Sequence, residues 1–165
     1  IKNIKDKKKW KYQQFSSGLN FRLSDIHASL GLSQLSNLKK FLSKRNYFAK
    51  RYKNKLKSLD ITFQDLKKES YSSYHLFIIK VNSKIKNELI NYMRNKKIMV
   101  NYHYIPLYKQ SFFRNNNFAK AVNSFKNSNK YYSSGISIPL FPSMTIKEQD
   151  IVIKYIKRFF NEKSK

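Results

Sequence analysis

The most informative stretch of this 165-residue chain is GLNFRLSD, residues 18–25, followed directly by IHASLGLSQL, residues 26–35. It places the amide of Asn20 and the guanidinium of Arg22 at alternate positions, just before a helix start that a Ser-Asp pair caps. Both side chains donate hydrogen bonds, and the guanidinium can do so bidentately, which suits a phosphate or a carboxylate. A turn made by Asn20 with a surface ion pair of Arg22 is the alternative. Local chemistry leaves both interpretations open.

Apolar residues continue at helical spacing for three dozen residues after this motif. They are Ile26, Leu30, Leu35, Leu38, Leu42, Phe48, Tyr52, Leu56 and Leu59. The helical register of these apolar residues shifts near residues 35–37. The pattern predicts a helix pair or one long bent helix over residues 24–59.

The remaining residues alternate between strand and helix patterns. Residues 74–81 predict a strand buried on both faces, and Ser83 is expected to cap the next helix. The later elements are a strand over 97–102, a weakly patterned helix over 118–132, a strand over 136–140 and a final helix behind the capping box of Thr145 and Glu148. This order predicts an α/β fold in which helices cover a small sheet.

Composition sets the size of the core and the class of partners. A hydrophobic content of 41% supports one ordinary domain core, and no window reaches the roughly 20 apolar residues of a membrane span. We therefore expect a cytoplasmic protein without a membrane partner.

The net charge of +26 fits a small basic nucleic-acid-binding module, but lysines spread along the whole chain are also expected from AT-rich codons. We favour the second explanation and expect no specific nucleic acid. Because the chain begins at Ile1 and not at Met, we expect a fragment, a processed product or a domain cut from a longer protein.

Candidate chemistry is limited to a few residues. The chain has no cysteine and only three histidines, His27, His75 and His103, without metal-ligand spacing, so no metal site is expected. His103 and Tyr104 precede Pro106 at a strand end, where ligand contacts are common, although a packed histidine and tyrosine are equally compatible with the pattern. For His75, inside an apolar strand, and for His27, beside small helical residues, packing is the favoured role.

Taken in order, the segments resemble the carboxy-terminal part of the DegT/StrS-type sugar-nucleotide aminotransferases, which are pyridoxal phosphate enzymes. The similarity covers nearly the whole chain. It comprises WKY and GLNFRLSDI at 10–12 and 18–26, the helical ASLGLSQLSNL at 28–38, YHLF at 74–77, NYHYIPLY at 101–108 and SIPLFPSMT at 137–145. One departure is Tyr108, which stands where many relatives have histidine.

The resemblance implies a domain organisation. Residues 1–23 would be a loop of the large domain carrying the Gly-x-Asn-x-Arg motif, 24–59 the interdomain helix, and 60–165 the small α/β domain of a fold-type I aminotransferase, with a mainly antiparallel sheet. The large cofactor-binding domain would be absent. Its Schiff-base lysine has no counterpart here, so the resemblance implies no catalytic residue in this chain and an inactive fragment.

The resemblance also implies site residues and ligands. Asn20 would contact the phosphate of pyridoxal phosphate in the partner subunit of a homodimer, and Arg22 would lie at the same shared site. His103 and Tyr104 would contact the substrate. Two segments, HYIP at residues 103–106 and SIPLFPSMT at residues 137–145, are most similar to those of enzymes that aminate C4 of a UDP-4-keto-6-deoxy-N-acetyl-hexosamine. This similarity implies glutamate as the amino donor and a role in the synthesis of pseudaminic acid-type surface glycans.

Overall fold

The structure is a computed structural model that describes residues 17–19, 21–115 and 125–163. Asn20, the aromatic Trp10–Tyr12 segment, and much of the predicted helix over 118–132 lie outside these residues. The chain divides into two compact units, Ile1–Ser36 and Asn37–Lys165. In the described ranges, no helix is long and apolar enough to cross a membrane.

The first unit contains helix α1, Asp25–Ser36. Ser24 caps it, because its hydroxyl oxygen accepts the backbone N–H of His27 at 3.4 Å and lies 2.7 Å from Nδ1 of the same histidine. None of the residues of α1 is buried, so His27 is an exposed partner of the cap and not the packed residue we expected. The predicted interruption near residues 35–37 is confirmed, since α1 ends at Ser36 and α2 begins at Leu38.

The second unit is a three-stranded antiparallel sheet with helices. Its helices are α2 Leu38–Leu56, α3 Lys86–Asn95, α4 Ser111–Asn115, α5 Lys126–Ser134 and α6 Ile146–Lys163. Its strands are β1 Thr62–Phe63, β2 Phe77–Lys80 and β3 Gly135–Ile138, in the spatial order β1-β2-β3. Phe77 pairs with Ile138 and Lys80 with Gly135. The predicted α/β class and the mainly antiparallel sheet are confirmed.

The core lies between one face of this sheet and helices α2, α3 and α6. Phe77 and Ile79 point into it, and Tyr52 and Leu56 of α2 are completely buried there. Ile78 and Lys80, on the other face of β2, are only half-buried. The prediction of a strand over 74–81 buried on both faces was therefore wrong in length and in burial, because only the face that carries Phe77 and Ile79 is completely buried.

The strand predicted over residues 97–102 is reduced to one bridge, between Asn101 and Ser137. Lys97 has a φ of 59°, which ends α3 in a left-handed turn, and the carbonyl oxygen of Val100 accepts hydrogen bonds from the guanidinium of Arg94 at 3.1 and 3.2 Å. That carbonyl is therefore occupied by a side chain instead of a neighbouring strand. The predicted Ser83 cap is also wrong, since Asn82 Oδ1 accepts the N–H of Lys84 at 3.0 Å and α3 begins at Lys86.

The last helix begins as predicted. The carboxylate of Glu148 accepts the backbone N–H of Thr145 at 2.7 Å and its hydroxyl at 2.8 Å, while the backbone N–H of Glu148 donates to Thr145 Oγ1 at 3.2 Å. This reciprocal capping box fixes the start of α6, whose buried residues include Val152, Ile156 and Phe159.

Candidate functional site

The segment that follows Val100 is attached to Ser137 of strand β3 through two residues, Asn101 and His103. The backbone of Asn101 exchanges both hydrogen bonds with Ser137, at 3.1 and 2.7 Å. The side chain of His103 then approaches the same serine, with 2.7 Å between Nδ1 and Oγ. Because Nδ1 is engaged with the hydroxyl, Nε2 is the ring nitrogen left for a further partner.

A cleft of about 180 Å³ opens beside this hydrogen bond. The lining residues come from the end of β3, the start of β2 and the bridge segment: His75, Leu76, Phe77, Met99, Asn101, His103, Ser137, Ile138, Pro139 and Leu140. Four of the lining residues are polar, His75, Asn101, His103 and Ser137, and the rest of the wall is apolar. Such a combination is typical of small-molecule sites, where a few polar groups fix the orientation of the ligand.

His75 lines the cleft, contrary to the expectation of a core residue. Its side chain is exposed, whereas Tyr74 before it is buried with a φ of 44°. Alternation would have placed His75 on the inward face with Phe77, but the strand only begins at Phe77. Nothing local in the sequence marks that start, because it is set by the pairing of Phe77 with Ile138.

Tyr104 lies next to the cleft without lining it. Its side chain is 73% exposed, and its ring contacts the His103 ring edge-on with centroids 4.6 Å apart. The structure thus brings His103 into the cleft and leaves the Tyr104 hydroxyl available to a ligand only from outside it.

Pro139, at the rim of the cleft, is fixed from the core. The hydroxyl of Tyr52 in α2 donates to the carbonyl oxygen of Pro139 at 2.9 Å, and burial raises the pKa of Tyr52, an effect that the charge of Arg51 partly opposes. Tyr52 therefore remains a hydrogen-bond donor over the physiological pH range. Tyr108, two residues after Pro106, stacks on Phe125 with 4.7 Å between centroids, and its buried hydroxyl has no hydrogen-bond partner within the described part of the chain.

The predicted phosphate contacts belong to the other unit. Arg22 is exposed just before α1, while Asn20 lies outside the described residues. An exposed guanidinium fits a phosphate group, since it presents two parallel N–H donors to two oxygens. In the described ranges, no three His, Asp or Glu residues form a group that could hold a metal ion.

Comparison with known proteins places these features in one family. Residues 1–157 match the DegT/DnrJ/EryC1/StrS aminotransferase family. Over 155 residues the chain is 30% identical to the UDP-4-amino-4,6-dideoxy-N-acetyl-beta-L-altrosamine transaminase of Campylobacter jejuni, and the match covers 90% of this chain and 40% of that enzyme. The chain thus spans about two fifths of the length of the curated relatives it matches.

Solved structures agree with the fold. Spr1654 of Streptococcus pneumoniae, a protein assigned as a sugar aminotransferase, superposes with a TM-score of 0.80 at 26% identity over 93% of this chain and 39% of that one. That protein has also been solved in forms with pyridoxal phosphate and pyridoxamine phosphate. PseC of Helicobacter pylori, an aminotransferase of pseudaminic acid biosynthesis, matches in fold alone, with a TM-score of 0.77 at 24% identity over 95% of this chain and 43% of that one.

The family match extends over almost the entire chain, and it includes both the motif around Arg22 and the segment that builds the His103 cleft. Aminotransferases of this kind use pyridoxal phosphate. The chain belongs to the DegT/DnrJ/EryC1/StrS aminotransferase family.

Proposed function

We propose that this chain is the carboxy-terminal part of an aminotransferase that transfers an amino group from glutamate to C4 of a UDP-4-keto-6-deoxy-N-acetyl-hexosamine. The observation that carries the proposal is the 30% identity to the altrosamine transaminase over 155 residues, a match that includes the segment that forms the cleft. The reaction would belong to amino-sugar synthesis for a pseudaminic acid-type surface glycan, in the cytoplasm.

In this proposal, the cleft contacts one part of the sugar nucleotide, because its volume of about 180 Å³ is below the roughly 300–1,000 Å³ of a site that encloses a whole small molecule. His103, held by Ser137 at Nδ1, would donate or accept a hydrogen bond through Nε2 at the substrate, and the exposed Tyr104 hydroxyl would supply a second contact. The apolar wall of the cleft, with Met99 and Leu140, would exclude water from the less polar 6-deoxy side of the sugar. A histidine fixed at one nitrogen orients its ligand without losing much side-chain entropy on binding.

The motif before α1 would bind the cofactor. Pyridoxal phosphate, when bound, supplies the electron sink that amino transfer requires. Asn20 would donate to the cofactor phosphate in the partner subunit of a homodimer, and Arg22 would neutralise part of its charge. A lysine for the covalent link to the cofactor would come from a large domain beyond these residues, and this chain alone would therefore transfer no amino group.

The two half-reactions of a transaminase provide the test. The full-length gene product, loaded with pyridoxal phosphate, is mixed first with glutamate and then with the UDP-4-keto-6-deoxy sugar, and the cofactor absorbance is followed. We expect glutamate to convert the cofactor to its amino form and the sugar to restore it. No change in absorbance with either compound would refute the proposal. A change with glutamate alone would refute the proposed sugar substrate but support the transaminase activity.

A further inference from the structure

Tyr132, near the end of α5, lies where three parts of the second unit meet. The ammonium of Lys86, at the start of α3, is 4.7 Å from the centroid of the Tyr132 ring and 5.2 Å from that of Tyr102. The same ammonium donates a short hydrogen bond to the carbonyl oxygen of Tyr132. Lys86 therefore ties α3 to both tyrosines at once.

The surroundings of Lys86 make these contacts strong. Its side chain is only 5% exposed, and burial lowers the pKa of its ammonium. A buried cation needs compensation for the water it has lost, and here the two ring faces and the Tyr132 carbonyl provide it. Cation–π contacts gain strength when the cation is removed from water.

A second lysine, Lys109, contacts the Tyr132 ring from the carboxy-terminal side of the HYIP segment. Lys109, the last residue of a short 3-10 helix Leu107–Lys109, lies 5.2 Å from the centroid of Tyr132. Tyr102 contacts the Tyr132 ring edge-on, with centroids 5.8 Å apart. Residues 102 and 109 bracket the segment that contains His103 and Tyr104. Both ends of that segment thus meet on one side chain.

We infer that Tyr132 is a positioning residue that fixes both ends of residues 102–109 and thereby holds His103 in the cleft. It reaches the substrate only through the loop that it anchors. Its effect on turnover rests on the proposed function, because that effect requires His103 to contact the sugar nucleotide. Its effect on the loop itself does not depend on any ligand.

Hydrogen exchange of the backbone amides tests the anchoring without substrate. In the full-length protein loaded with pyridoxal phosphate, Tyr132→Leu removes the ring face, and we expect exchange in residues 102–109 to rise about threefold to thirtyfold. Tyr132→Phe keeps the ring and should keep the wild-type exchange rates in residues 102–109. Lys96→Met is the matched control, because Lys96 also lies near two tyrosine rings, at 5.8 Å from Tyr92 and 5.9 Å from Tyr155, but away from the HYIP segment.

A gentler variant separates anchoring from general stability. Lys109 is exposed, so Lys109→Met removes one anchor without leaving a buried cavity. It should raise exchange in residues 102–109 and leave the core strands unchanged. Unchanged exchange in residues 102–109 in both Tyr132→Leu and Lys109→Met would overturn the inference, as would equal acceleration throughout Asn37–Lys165 in both variants.

The half-reactions then show whether anchoring matters for the sugar. In Tyr132→Leu we expect the glutamate half-reaction to keep its rate and the KM for the UDP-4-keto-6-deoxy sugar to rise, with recovery in Tyr132→Phe. Faster exchange with an unchanged sugar half-reaction would support the anchoring by Tyr132 and overturn the proposed contact between His103 and substrate. The two failures are therefore distinguishable.

Discussion

The guanidinium of Arg51 donates a hydrogen bond of 2.9 Å to the side-chain oxygen of Gln149, which is completely buried between helices α2 and α6. The amide nitrogen of Gln149 donates to the carbonyl oxygen of Phe48 at 2.8 Å, and Arg51 also pairs with Asp150 at 2.6 Å. Each polar group of this buried amide is thus engaged with α2. A satisfied buried amide of this kind fixes how two helices align, because any shift leaves polar atoms without partners.

Replacing this amide should destabilise the fold. Gln149→Leu has similar volume but removes the hydrogen bonds that the buried amide makes with the Phe48 carbonyl and the Arg51 guanidinium, at a cost of about 1–3 kcal/mol. We expect a lower midpoint temperature of thermal unfolding for the full-length protein. Gln64→Leu, at an exposed position, is the control. Equal midpoints for Gln149→Leu and the wild type would contradict this account.

Tyr52→Phe should have a smaller effect. The change deletes the hydroxyl that donates to Pro139, and it leaves that carbonyl oxygen at the cleft rim with one partner fewer, for a loss of about 0.5–1.5 kcal/mol. Thermal unfolding measures the loss, and Tyr47→Phe, whose side chain is 54% exposed, should show none. If the two variants unfold at the same temperature, the hydroxyl of Tyr52 contributes nothing to stability.

The capping box of α6 should make stability depend on pH at the acid end. The backbone N–H and the hydroxyl of Thr145 hold the pKa of Glu148 below its ordinary value of 4.5. A carboxylate with a lowered pKa stabilises the folded state above the unfolded pKa, and this contribution disappears as pH falls through the folded pKa. Glu148→Gln should therefore lower stability at pH 7 and flatten the decline below pH 4.5.

Denaturation curves at several pH values measure the difference between the wild type and Glu148→Gln. Glu69→Gln, in an exposed turn, is the matched control and should keep the wild-type profile. A difference between Glu148→Gln and the wild type that stays constant from pH 7 to pH 3 would disprove the titration argument.

Loss of the hydrogen bond at His103 should affect only the sugar half-reaction. Ser137→Ala removes the partner of Nδ1 and keeps the imidazole, whereas His103→Gln removes the ring itself. We expect both to raise the KM for the UDP-4-keto-6-deoxy sugar, His103→Gln by about tenfold and Ser137→Ala by less. The glutamate half-reaction of each variant is its internal control. An unchanged KM in His103→Gln would remove this residue from the site.

Cofactor retention tests the motif before α1. Asn20→Ala and Arg22→Gln each remove donors proposed for the phosphate, and we expect weaker binding of pyridoxal phosphate by at least about tenfold, since charged hydrogen bonds are among the strongest. Absorbance after gel filtration of the full-length protein measures the cofactor retained. Arg22→Lys keeps the charge but loses the planar pair of donors, so it should retain more cofactor than Arg22→Gln and less than the wild type. Full retention of pyridoxal phosphate in Asn20→Ala would exclude Asn20 as a contact of the cofactor phosphate.

Local signals were enough to predict several elements. The capping box of Thr145 and Glu148 and the helix interruption near Asn37 depend on residues only a few positions apart. The family resemblance and the α/β class followed from motifs that keep their order along the chain. Such features are encoded by short-range spacing, which a single sequence displays directly.

Long-range contacts decided what could not be predicted. The start of β2 depends on pairing with β3, and it determined whether His75 points inward or into the cleft. The segment expected to form a strand over 97–102 pairs with β3 only at Asn101 and Ser137, two residues that lie far apart in the sequence. Gln149 and Phe48 are 101 residues apart, so no local pattern connects them.

The pairing of Asn101 with Ser137 has a consequence for how sequences of this kind can change in length. Side chains alternate along a strand, so inserting or deleting one residue within β3 would replace Ser137 by an apolar neighbour at the position facing His103. Residues 65–70, between β1 and β2, are exposed and lie outside the strands, so a change of length there shifts no strand register. We expect changes of length to accumulate there, while the spacing between Gly135 and Pro139 stays fixed.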